Sequence, residues 1–300
     1  MAKSKSFWGE HPEHIWLDGE IVPWDQATIH VTQGHIFAHS IFEGIRAYNG
    51  RVFKLQEHVD RLFCSAKAIL LKIPLSQKAI CDAVLGTCRR NKIRNGYIRL
   101  VVTRGSGTLG LDPNRCKKPQ IIIIAATIQL YPKKIYERGL EIVTVPTTRN
   151  HANAVNPAIK SLNYLNNILA KIEANNAGCL EAIMLNSQGF VAECTGDNIF
   201  ILNDKKMLTP PLSSGALHGI TRGVVMGLAK EMGIEVAEPN LTRYDLFNAA
   251  ECFITGTAAE VVPVVKIDGR KIGTGRPGKH TKAFMQAYHA LTNASGAAIL

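Results

Sequence analysis

The sequence predicts a two-domain protein of the α+β class. Its 300 residues suggest about two domains, and 46% of them are hydrophobic, which is enough for real cores. Hairpin signals and two helical patterns come before residue 130, and short apolar runs surround two further helical patterns after it. We place the domains at residues 1–129 and 137–300, joined by a linker at 130–136.

The first domain is expected to begin with hairpins. The dipeptides Asp18-Gly19 and Asn49-Gly50 each stand between apolar runs, and such dipeptides favour the tight turns of β-hairpins. Further along, apolar residues spaced by three and four predict two helices, and alternation of apolar and polar residues predicts two strands. These are helices at about 56–71 and 76–91 and strands at 97–104 and 120–129.

The second domain is expected to hold short strands around two helices. Ser161 is predicted to cap a helix that ends at Gly178, and Thr221 to cap one that ends at Gly233. The small-residue tail at 293–298 is expected to fray. The predicted strands are 141–147, 182–185, 190–194, 199–202 and 251–255.

Composition and charge exclude several classes of partner. Lys and Arg exceed Asp and Glu by 35 − 24 = 11, but they are scattered in short doublets, which argues against a nucleic-acid surface. The seven cysteines form no Cys-x-x-Cys pair, as is typical of reduced thiols in the cytoplasm. No apolar signal core and no run of about 18 apolar residues occurs, so we expect neither export nor a membrane span.

Lys160 is the first candidate for chemistry. No carboxylate occurs in the six residues before it or the twelve after it, so its ammonium would lose charge readily if it were buried. An uncharged lysine is an amine nucleophile of the type that forms Schiff bases with carbonyl groups. An ordinary solvated lysine before a helix is the alternative.

A carboxylate and two anion-binding segments follow Lys160. Glu193 shares a strand face with Val191, and if that face is buried the carboxylate needs a cationic partner. The helix start at Thr221 offers free backbone amides to an anion, and the small residues from Gly256 to Ala258 let backbone approach a ligand. Together with Lys160, these features match the requirements of a pyridoxal phosphate site.

With these residues, the chain resembles the branched-chain amino acid aminotransferases of the fold type IV, class IV pyridoxal phosphate-dependent family. The resemblance implies a smaller N-terminal α/β sandwich domain and a larger C-terminal pseudo-barrel domain that binds the cofactor. The motifs that carry it are Phe42-Glu43-Gly44-Ile45-Arg46, Glu57-His58-Val59-Asp60-Arg61-Leu62, Tyr97-Ile98-Arg99, Lys160-Ser161-Leu162-Asn163-Tyr164-Leu165-Asn166-Asn167, Glu193, Gly219-Ile220-Thr221-Arg222 and Gly256-Thr257-Ala258-Ala259-Glu260.

The resemblance also implies a role for each matching residue. Lys160 would form the Schiff base with pyridoxal 5′-phosphate and move the proton between the substrate Cα and the cofactor C4′. Glu193 would hold the pyridine nitrogen protonated, and Tyr164 would lie beside the phenolic oxygen. The phosphate would be bound by Arg61, Ile220, Thr221 and Thr257, with Leu217, Gly219 and Gly256 as further cofactor contacts. The substrate would meet Phe42, Tyr97, Arg99, Thr257 and Ala258.

The implied reaction is ping-pong transamination between a branched-chain L-amino acid and 2-oxoglutarate. The implied partners are these small molecules and further copies of the chain, as a homodimer or a trimer of dimers with the active site near the subunit interface. Two enzyme alternatives remain open, a transaminase of (R)-amines or D-amino acids and a lyase of the aminodeoxychorismate type. A non-catalytic binding protein is the alternative from another class.

Two segments depart from the family pattern and leave the substrate range open. Residues 36–41 replace a Tyr-Gly pair that usually precedes Phe42 and introduce His39, and Thr108 stands where an acidic residue is common. Alternatives also exist for single residues. Arg61 could lie on a solvated helix face, and Tyr97 with Arg99 could form a polar outer strand face. His30, His35 and His39 lack the spacing and companions of a metal site, so we expect no metal.

Overall fold

The computed structural model describes residues 11–29, 38–108, 110–127 and 131–300. It divides the chain into two compact units. The first comprises Met1–Leu130, Ile159–Asn163 and Thr292–Leu300, and the second comprises Tyr131–Ala158 and Tyr164–Leu291. The contiguous domains at 1–129 and 137–300, with a linker at 130–136, stay a prediction.

The first unit is built on an antiparallel sheet of seven strands. The strands are β1 (His14–Leu17), β2 (Glu20–Pro23), β3 (Ser40–Tyr48), β4 (Arg51–Val52), β5 (Gly96–Ser106), β6 (Lys118–Ala126) and β16 (Ala297–Ala298). They lie in the order β16-β4-β3-β5-β6-β1-β2. Two helices pack against the sheet, α1 (Leu55–Ala68) and α2 (Gln77–Arg90).

Local signals account for most elements of the first unit. Asn49 and Gly50 have φ values of 53° and 77°, the left-handed pair that a tight hairpin turn between β3 and β4 needs. The Ser76 hydroxyl accepts a hydrogen bond from the Ala79 N–H at 3.2 Å and caps α2. Both hairpins, both helices and strand 97–104 are confirmed. The predicted strand 120–129 is β6, although residues 128–130 lie outside the described part.

The core of the first unit lies between the helices and one face of the sheet. Helix α1 contributes Val59, Leu62 and Ala66 at spacings of three and four, and β5 contributes Ile98 and Leu100 at a spacing of two. All five side chains are buried. The other face of β5 carries residues that are only half-buried, among them Tyr97 and Arg99.

The second unit holds a nine-stranded mixed sheet and five helices. Its strands are β7 (Leu140–Thr144), β8 (Ala182–Leu185), β9 (Val191–Cys194), β10 (Asn198–Asn203), β11 (Lys206–Leu208), β12 (Glu235–Ala237), β13 (Glu251–Gly256), β14 (Glu260–Ile267) and β15 (Arg270–Lys271). They lie in the order β12-β11-β10-β13-β14-β7-β8-β9, with β15 paired to β14. The helices are α3 (Lys133–Arg138), α4 (Leu165–Asn176), α5 (Ile220–Glu231), α6 (Arg243–Phe247) and α7 (Lys279–Ala294).

Aromatic stacking and a long hairpin turn organise this second unit. Phe200 of β10 stacks on Phe253 of β13 with ring centroids 5.0 Å apart, and Phe253 contacts Phe284 of α7 at 5.6 Å. The turn between β8 and β9 is closed by the Asn186 N–H, which donates to the Phe190 carbonyl at 2.8 Å. The predicted strands are confirmed here with shifts of a few residues at their ends.

Several sequence expectations about helix and chain ends were wrong. Helix α4 begins at Leu165, not at Ser161, because Ser161 pairs with Ile41 of β3 in a β-bridge. Helix α5 begins at Ile220 with Gly219 as its N-cap, so Thr221 lies inside the helix and does not cap it. The tail does not fray, since β16 pairs with β4 and Ile299 is only 2% exposed.

Helix α4 exposes the apolar side chains whose spacing predicts it. Leu165, Ile168, Leu169 and Ile172 are between 46% and 68% exposed, and together they form the α4 stripe. The buried side of the helix instead carries Asn167 and two alanines. Across the described part of the chain, no helix combines the length and the apolarity needed to cross a bilayer.

Candidate active site

In the first unit, a buried ionic cluster surrounds Arg61. Helix α1 places His58 and Arg61 one turn apart, and both face Glu43 of β3. The Arg61 Nε donates to Glu43 Oε1 at 2.8 Å, and its Nη2 donates to Glu43 Oε2 at 2.6 Å. The His58 Nδ1 lies 2.7 Å from Glu43 Oε2. The Arg61 side chain is only 11% exposed, so the solvated helix face considered for it is wrong.

The protonation states in this cluster follow from burial and charge. Burial alone would raise the pKa of Glu43, but the charge and hydrogen bonds of Arg61, with help from His58, lower that pKa to about 2. Burial lowers the pKa of His58, Glu43 opposes this, and the charges of Arg61 and Lys160 add to the lowering. His58 is therefore neutral near pH 7, and its Nδ1–H donates to the carboxylate, which can only accept.

Lys160 is fixed to the same strand and helix through its backbone. Its N–H donates to the Ser65 hydroxyl on α1 at 3.2 Å, and its carbonyl accepts from the Phe42 N–H at 3.0 Å. The next peptide is anchored as well, because the Leu162 N–H donates to the Ser40 carbonyl at 3.0 Å. The Lys160 Nζ lies 4.6 Å from the centroid of the Phe42 ring. The β-bridge described above therefore holds this lysine in place, not a helix cap.

Phe42, Tyr97 and Arg99 form one wall next to this lysine. The Arg99 Cζ lies 4.7 Å from the Phe42 ring centroid and 5.5 Å from the Tyr97 ring centroid. A Cβ on Gly44 would lie 2.0 Å from the Tyr97 hydroxyl oxygen, so only glycine leaves space for the phenol here. The structure thus brings together four residues predicted from sequence, and Gly44 explains how Tyr97 fits against β3.

In the second unit, Glu193 is buried on β9 and bound by three donors. The Arg149 Nη2 donates to Oε1 at 2.6 Å. The Asn198 Nδ2 and the Leu217 N–H donate to Oε2 at 3.1 Å and 2.9 Å. The burial predicted from strand alternation is confirmed, and the cationic partner that such burial requires is present within the chain.

Arg149 and Asn198, which bind Glu193, were not predicted from the sequence. The Arg149 Nε donates to the Gly215 carbonyl at 3.1 Å and its Nη1 to the Asn167 side-chain oxygen at 2.9 Å, so every nitrogen of the guanidinium is held. A buried Glu193 signals that some cation must be near, but no spacing identifies Arg149, which precedes it by 44 residues. Asn198 stands five residues after Glu193, on the next strand.

The start of α5 lies next to the Glu193 cluster along the chain. The Leu217 N–H donates to Glu193, and two residues later Gly219 is the N-cap of the helix, without a hydrogen bond from a side chain. A Cβ on Gly219 would lie 2.0 Å from the Asn198 Oδ1. The first-turn amides of this twelve-residue helix, at Ile220 and Thr221, lie at the positive end of the helix dipole, where an anion is favoured.

The turn after β13 is the third predicted segment of the second unit. A Cβ on Gly256 would lie 2.0 Å from Asp197 Oδ1, so the turn from Gly256 to Ala258 depends on glycine where it begins. Thr257 and Ala258 are half-buried in this turn. Tyr164 is the residue before α4, where it serves as the N-cap.

The departures from the family pattern are only partly visible. Residues 36 and 37 lie outside the described part, as do His30 and His35. Burial and the charge of Arg104 lower the pKa of His39. Thr108 is exposed. Within the described residues, no group of three or more His, Cys, Asp or Glu side chains is arranged to hold a metal ion.

Comparisons with known proteins show the family to which the chain belongs. The family model for amino-transferase class IV matches residues 40–267. A putative branched-chain-amino-acid aminotransferase of Methanocaldococcus jannaschii is 50% identical over 275 residues, which is 91% of this chain and 94% of that protein.

Solved structures are similar along nearly the whole chain. The branched-chain amino acid aminotransferase of Escherichia coli has a TM-score of 0.92 at 36% identity, with 95% of this chain and 96% of that chain covered. The T.th. branched-chain amino acid aminotransferase complexed with N-(5′-phosphopyridoxyl)-L-glutamate has a TM-score of 0.89 at 35% identity, with 94% and 95% covered.

The chain belongs to the class IV amino-transferase family, and it is an aminotransferase. The α+β, fold type IV architecture predicted from sequence is confirmed by the similarity to the Escherichia coli structure. The resemblance to branched-chain amino acid aminotransferases is confirmed as well.

The Glu43 cluster predicts a specific pH dependence of stability. Because the pKa of Glu43 is about 2 in the fold and 4.5 in the unperturbed side chain, its ionised form stabilises the fold fully above pH 4.5. This contribution is lost as the pH falls towards 2. The shift corresponds to about 3 kcal/mol. We expect the difference in unfolding free energy between wild type and Glu43→Gln to shrink by about that amount over this range in denaturant titrations.

The matched control for this measurement is Glu57→Gln, on helix α1, which also carries Arg61. Glu57 pairs with Lys54, and both side chains are exposed by more than a third, so screening makes this pair worth little. We expect the control to show a much smaller change over the same pH range. A difference between wild type and Glu43→Gln that stays constant from neutral to acid pH would contradict the assigned ionisation.

Proposed function

We propose that this aminotransferase uses pyridoxal 5′-phosphate to exchange an amino group between a branched-chain L-amino acid and 2-oxoglutarate, in two half-reactions. The observation that carries the proposal is the wall of Phe42, Tyr97 and Arg99 beside Lys160. It combines an amine, aromatic surface for an aliphatic side chain and a cation for a distal carboxylate. The complex of the T.th. relative, whose ligand joins a phosphopyridoxyl group to glutamate, supports the choice of cofactor and of one substrate.

The donor sets on the chain suit this cofactor. Arg61 offers a guanidinium held in a fixed orientation, and the uncapped start of α5 offers amides at Ile220 and Thr221, so both are suited to a phosphate. We assign Leu217, Gly219, Gly256 and Thr257 as further contacts of the cofactor, and Tyr164 as the partner of its phenolic oxygen. When bound, pyridoxal 5′-phosphate supplies an aldehyde carbon and an electron-accepting ring.

Lys160 is assigned as the catalytic residue. Its amine would hold the cofactor covalently, and once free it would act as the base that carries the proton between the substrate Cα and the cofactor C4′. The backbone anchors to Ser65 and Phe42 limit where the amine can reach, which is how a catalytic base is kept close to two carbon atoms.

Glu193 is assigned to the ring nitrogen of the cofactor. A carboxylate held by Arg149, Asn198 and Leu217 keeps a fixed position and a negative charge. Such a group favours a protonated pyridine nitrogen over a neutral one. Arg149 thereby acts on the ring through Glu193.

The substrate contacts follow from the chemistry of the wall. Phe42 and Tyr97 offer apolar surface to a branched side chain, and Arg99 offers its guanidinium to the distal carboxylate of glutamate or 2-oxoglutarate. The turn from Gly256 through Thr257 to Ala258 is assigned to the substrate α-carboxylate. One site can thus accept an aliphatic and an acidic substrate in turn.

We further propose that the chain assembles as a homodimer or a trimer of dimers in the cytoplasm. The α4 stripe supports assembly, because contiguous exposed apolar surface of this kind marks interfaces. All seven cysteines are free thiols, as a reducing compartment would keep them. Recovery of disulfide-linked protein from an exported fraction would contradict this location.

A panel of amino donors tests the substrate assignment. Half-reactions with L-leucine, D-alanine and (R)-phenylethylamine are followed through the absorbance of the cofactor itself. We expect L-leucine to convert the cofactor fastest, by at least about 100-fold, because the fit of a substrate side chain and of its stereochemistry is worth several kcal/mol. Faster conversion by D-alanine or by the (R)-amine would contradict the assignment, as would release of pyruvate from aminodeoxychorismate.

Substitution of Lys160 tests the catalytic assignment. In Lys160→Ala we expect loss of the absorbance of the lysine-bound cofactor and a fall in turnover of at least about 1000-fold, since no amine remains to attach it. Borohydride reduction followed by peptide mapping should place the cofactor mass on Lys160 in the wild type. The control is Lys67→Ala, on the exposed side of α1. Cofactor mass on another lysine would contradict the assignment.

The α4 stripe predicts the effect of a charge on assembly. A buried aspartate without a partner is too costly for an apolar interface. We therefore expect Ile168→Asp to shift the mass seen by light scattering from a multiple of 32.8 kDa towards 32.8 kDa. Leu70→Asp is the control, because Leu70 is 87% exposed and lies outside the stripe. A monomeric wild type, or an unchanged mass in Ile168→Asp, would contradict the proposal.

A further inference from the structure

Glu43 has no direct role in the reaction as proposed, yet it is one of the most completely buried charges in the described part of the chain. Its side chain is 0% exposed, and both of its oxygens bind Arg61. A buried ion pair gains little stability over apolar side chains of similar volume, because desolvation offsets the attraction. The pair is therefore better explained by its effect on the orientation of the Arg61 side chain.

The hydrogen bonds define the orientation of the guanidinium. Glu43 takes the edge formed by Nε and Nη2, so the plane of the group and the direction of its other edge are set by the carboxylate. His58 binds Glu43 from the preceding turn of α1 and fixes the carboxylate in turn. An arginine ordered in advance loses less side-chain entropy when an anion binds.

The same helix also carries the anchor of Lys160. Ser65 follows Arg61 by one turn of α1, and its hydroxyl accepts the Lys160 N–H. Helix α1 therefore carries both the Arg61 guanidinium and the residue that anchors the Lys160 backbone. A tilt of Arg61 would change the distance between the two groups.

We propose that Glu43, held by His58, is a positioning residue that orients the Arg61 guanidinium for the phosphoryl group of the cofactor. The inference rests on the proposed function, in which Arg61 binds that phosphate. Glu43 touches neither cofactor nor substrate and acts through Arg61 alone. Its effect must therefore be specific for ligands that carry the phosphate.

Binding of two ligands to the apoenzyme separates this role from a merely structural one. Dissociation constants are measured for pyridoxal 5′-phosphate and for pyridoxal, which lacks the phosphate. In Glu43→Gln we expect affinity for pyridoxal 5′-phosphate to fall about 10- to 100-fold, the usual range for a misplaced charged hydrogen bond. Affinity for pyridoxal should stay within about 3-fold. The control Glu57→Gln, on the helix that carries Arg61, should change neither constant.

A double-mutant cycle tests whether Glu43 acts through Arg61. Arg61→Met alone should lower the affinity for pyridoxal 5′-phosphate, and adding Glu43→Gln should lower it no further. If Glu43→Gln does not fold, Glu43→Asp replaces it. The shorter side chain keeps the charge but cannot hold both Nε and Nη2 in place, so the same phosphate-specific loss is expected.

The outcomes separate failure of this inference from failure of the proposed function. If Arg61→Met leaves affinity for pyridoxal 5′-phosphate unchanged, the phosphate role of Arg61 fails, and the proposed cofactor assignment is weakened with it. If Arg61→Met weakens binding but the Glu43 variants do not, only the positioning role fails. Equal losses for both ligands in the Glu43 variants would show a structural role and overturn the inference.

Discussion

The structure depends on the need to pair two buried carboxylates. Glu43 and Glu193 are each withdrawn from water, and each is held by a guanidinium within its own unit, by Arg61 and Arg149 respectively. Removing one partner of such a pair costs about 3–5 kcal/mol, because the remaining charge stays buried. The pairs therefore strongly constrain these four positions. In our proposal the two arginines have different roles. Arg61 binds the phosphate of the cofactor, and Arg149 holds the Glu193 carboxylate that binds the ring nitrogen.

Strand β3 separates two groups of side chains in the first unit. Successive residues of a strand point to opposite faces. Glu43 therefore faces α1 and its arginine, whereas Phe42 and Gly44 lie on the other face with Tyr97 and Arg99. The backbone of the same strand holds Lys160. A shift of β3 by one residue would exchange the two faces and disrupt both groups.

Local features of the sequence could be predicted, and long-range ones could not. The cap of α2 at Ser76 and the hairpin turn at Asn49-Gly50 could be predicted, because the interactions that form them lie within about four residues of the chain. Ser161 looks like a cap by the same local criteria, but its backbone pairs with Ile41, which is 120 residues away. The spacing of the α4 stripe predicts a helix, but it does not indicate that these apolar side chains are exposed in the single chain.

Within the site, residue types were easier to predict than partners. Lys160 and Glu193 could be proposed as candidates because an isolated lysine and a buried carboxylate are unusual in themselves. Arg149 could not, because a guanidinium gives no local signal of the carboxylate that it will meet. In the sequence, Glu43 is only one member of a motif, and its contact with Arg61 forms only when β3 and α1 pack together.

The most direct test of this account is a crystal structure of the protein grown with pyridoxal 5′-phosphate. We expect continuous electron density from the Lys160 Nζ to the cofactor, the Glu193 carboxylate within hydrogen-bonding distance of the ring nitrogen, and Arg61 on the phosphate. Density that joins the cofactor to another side chain, or a ring nitrogen far from Glu193, would contradict the account.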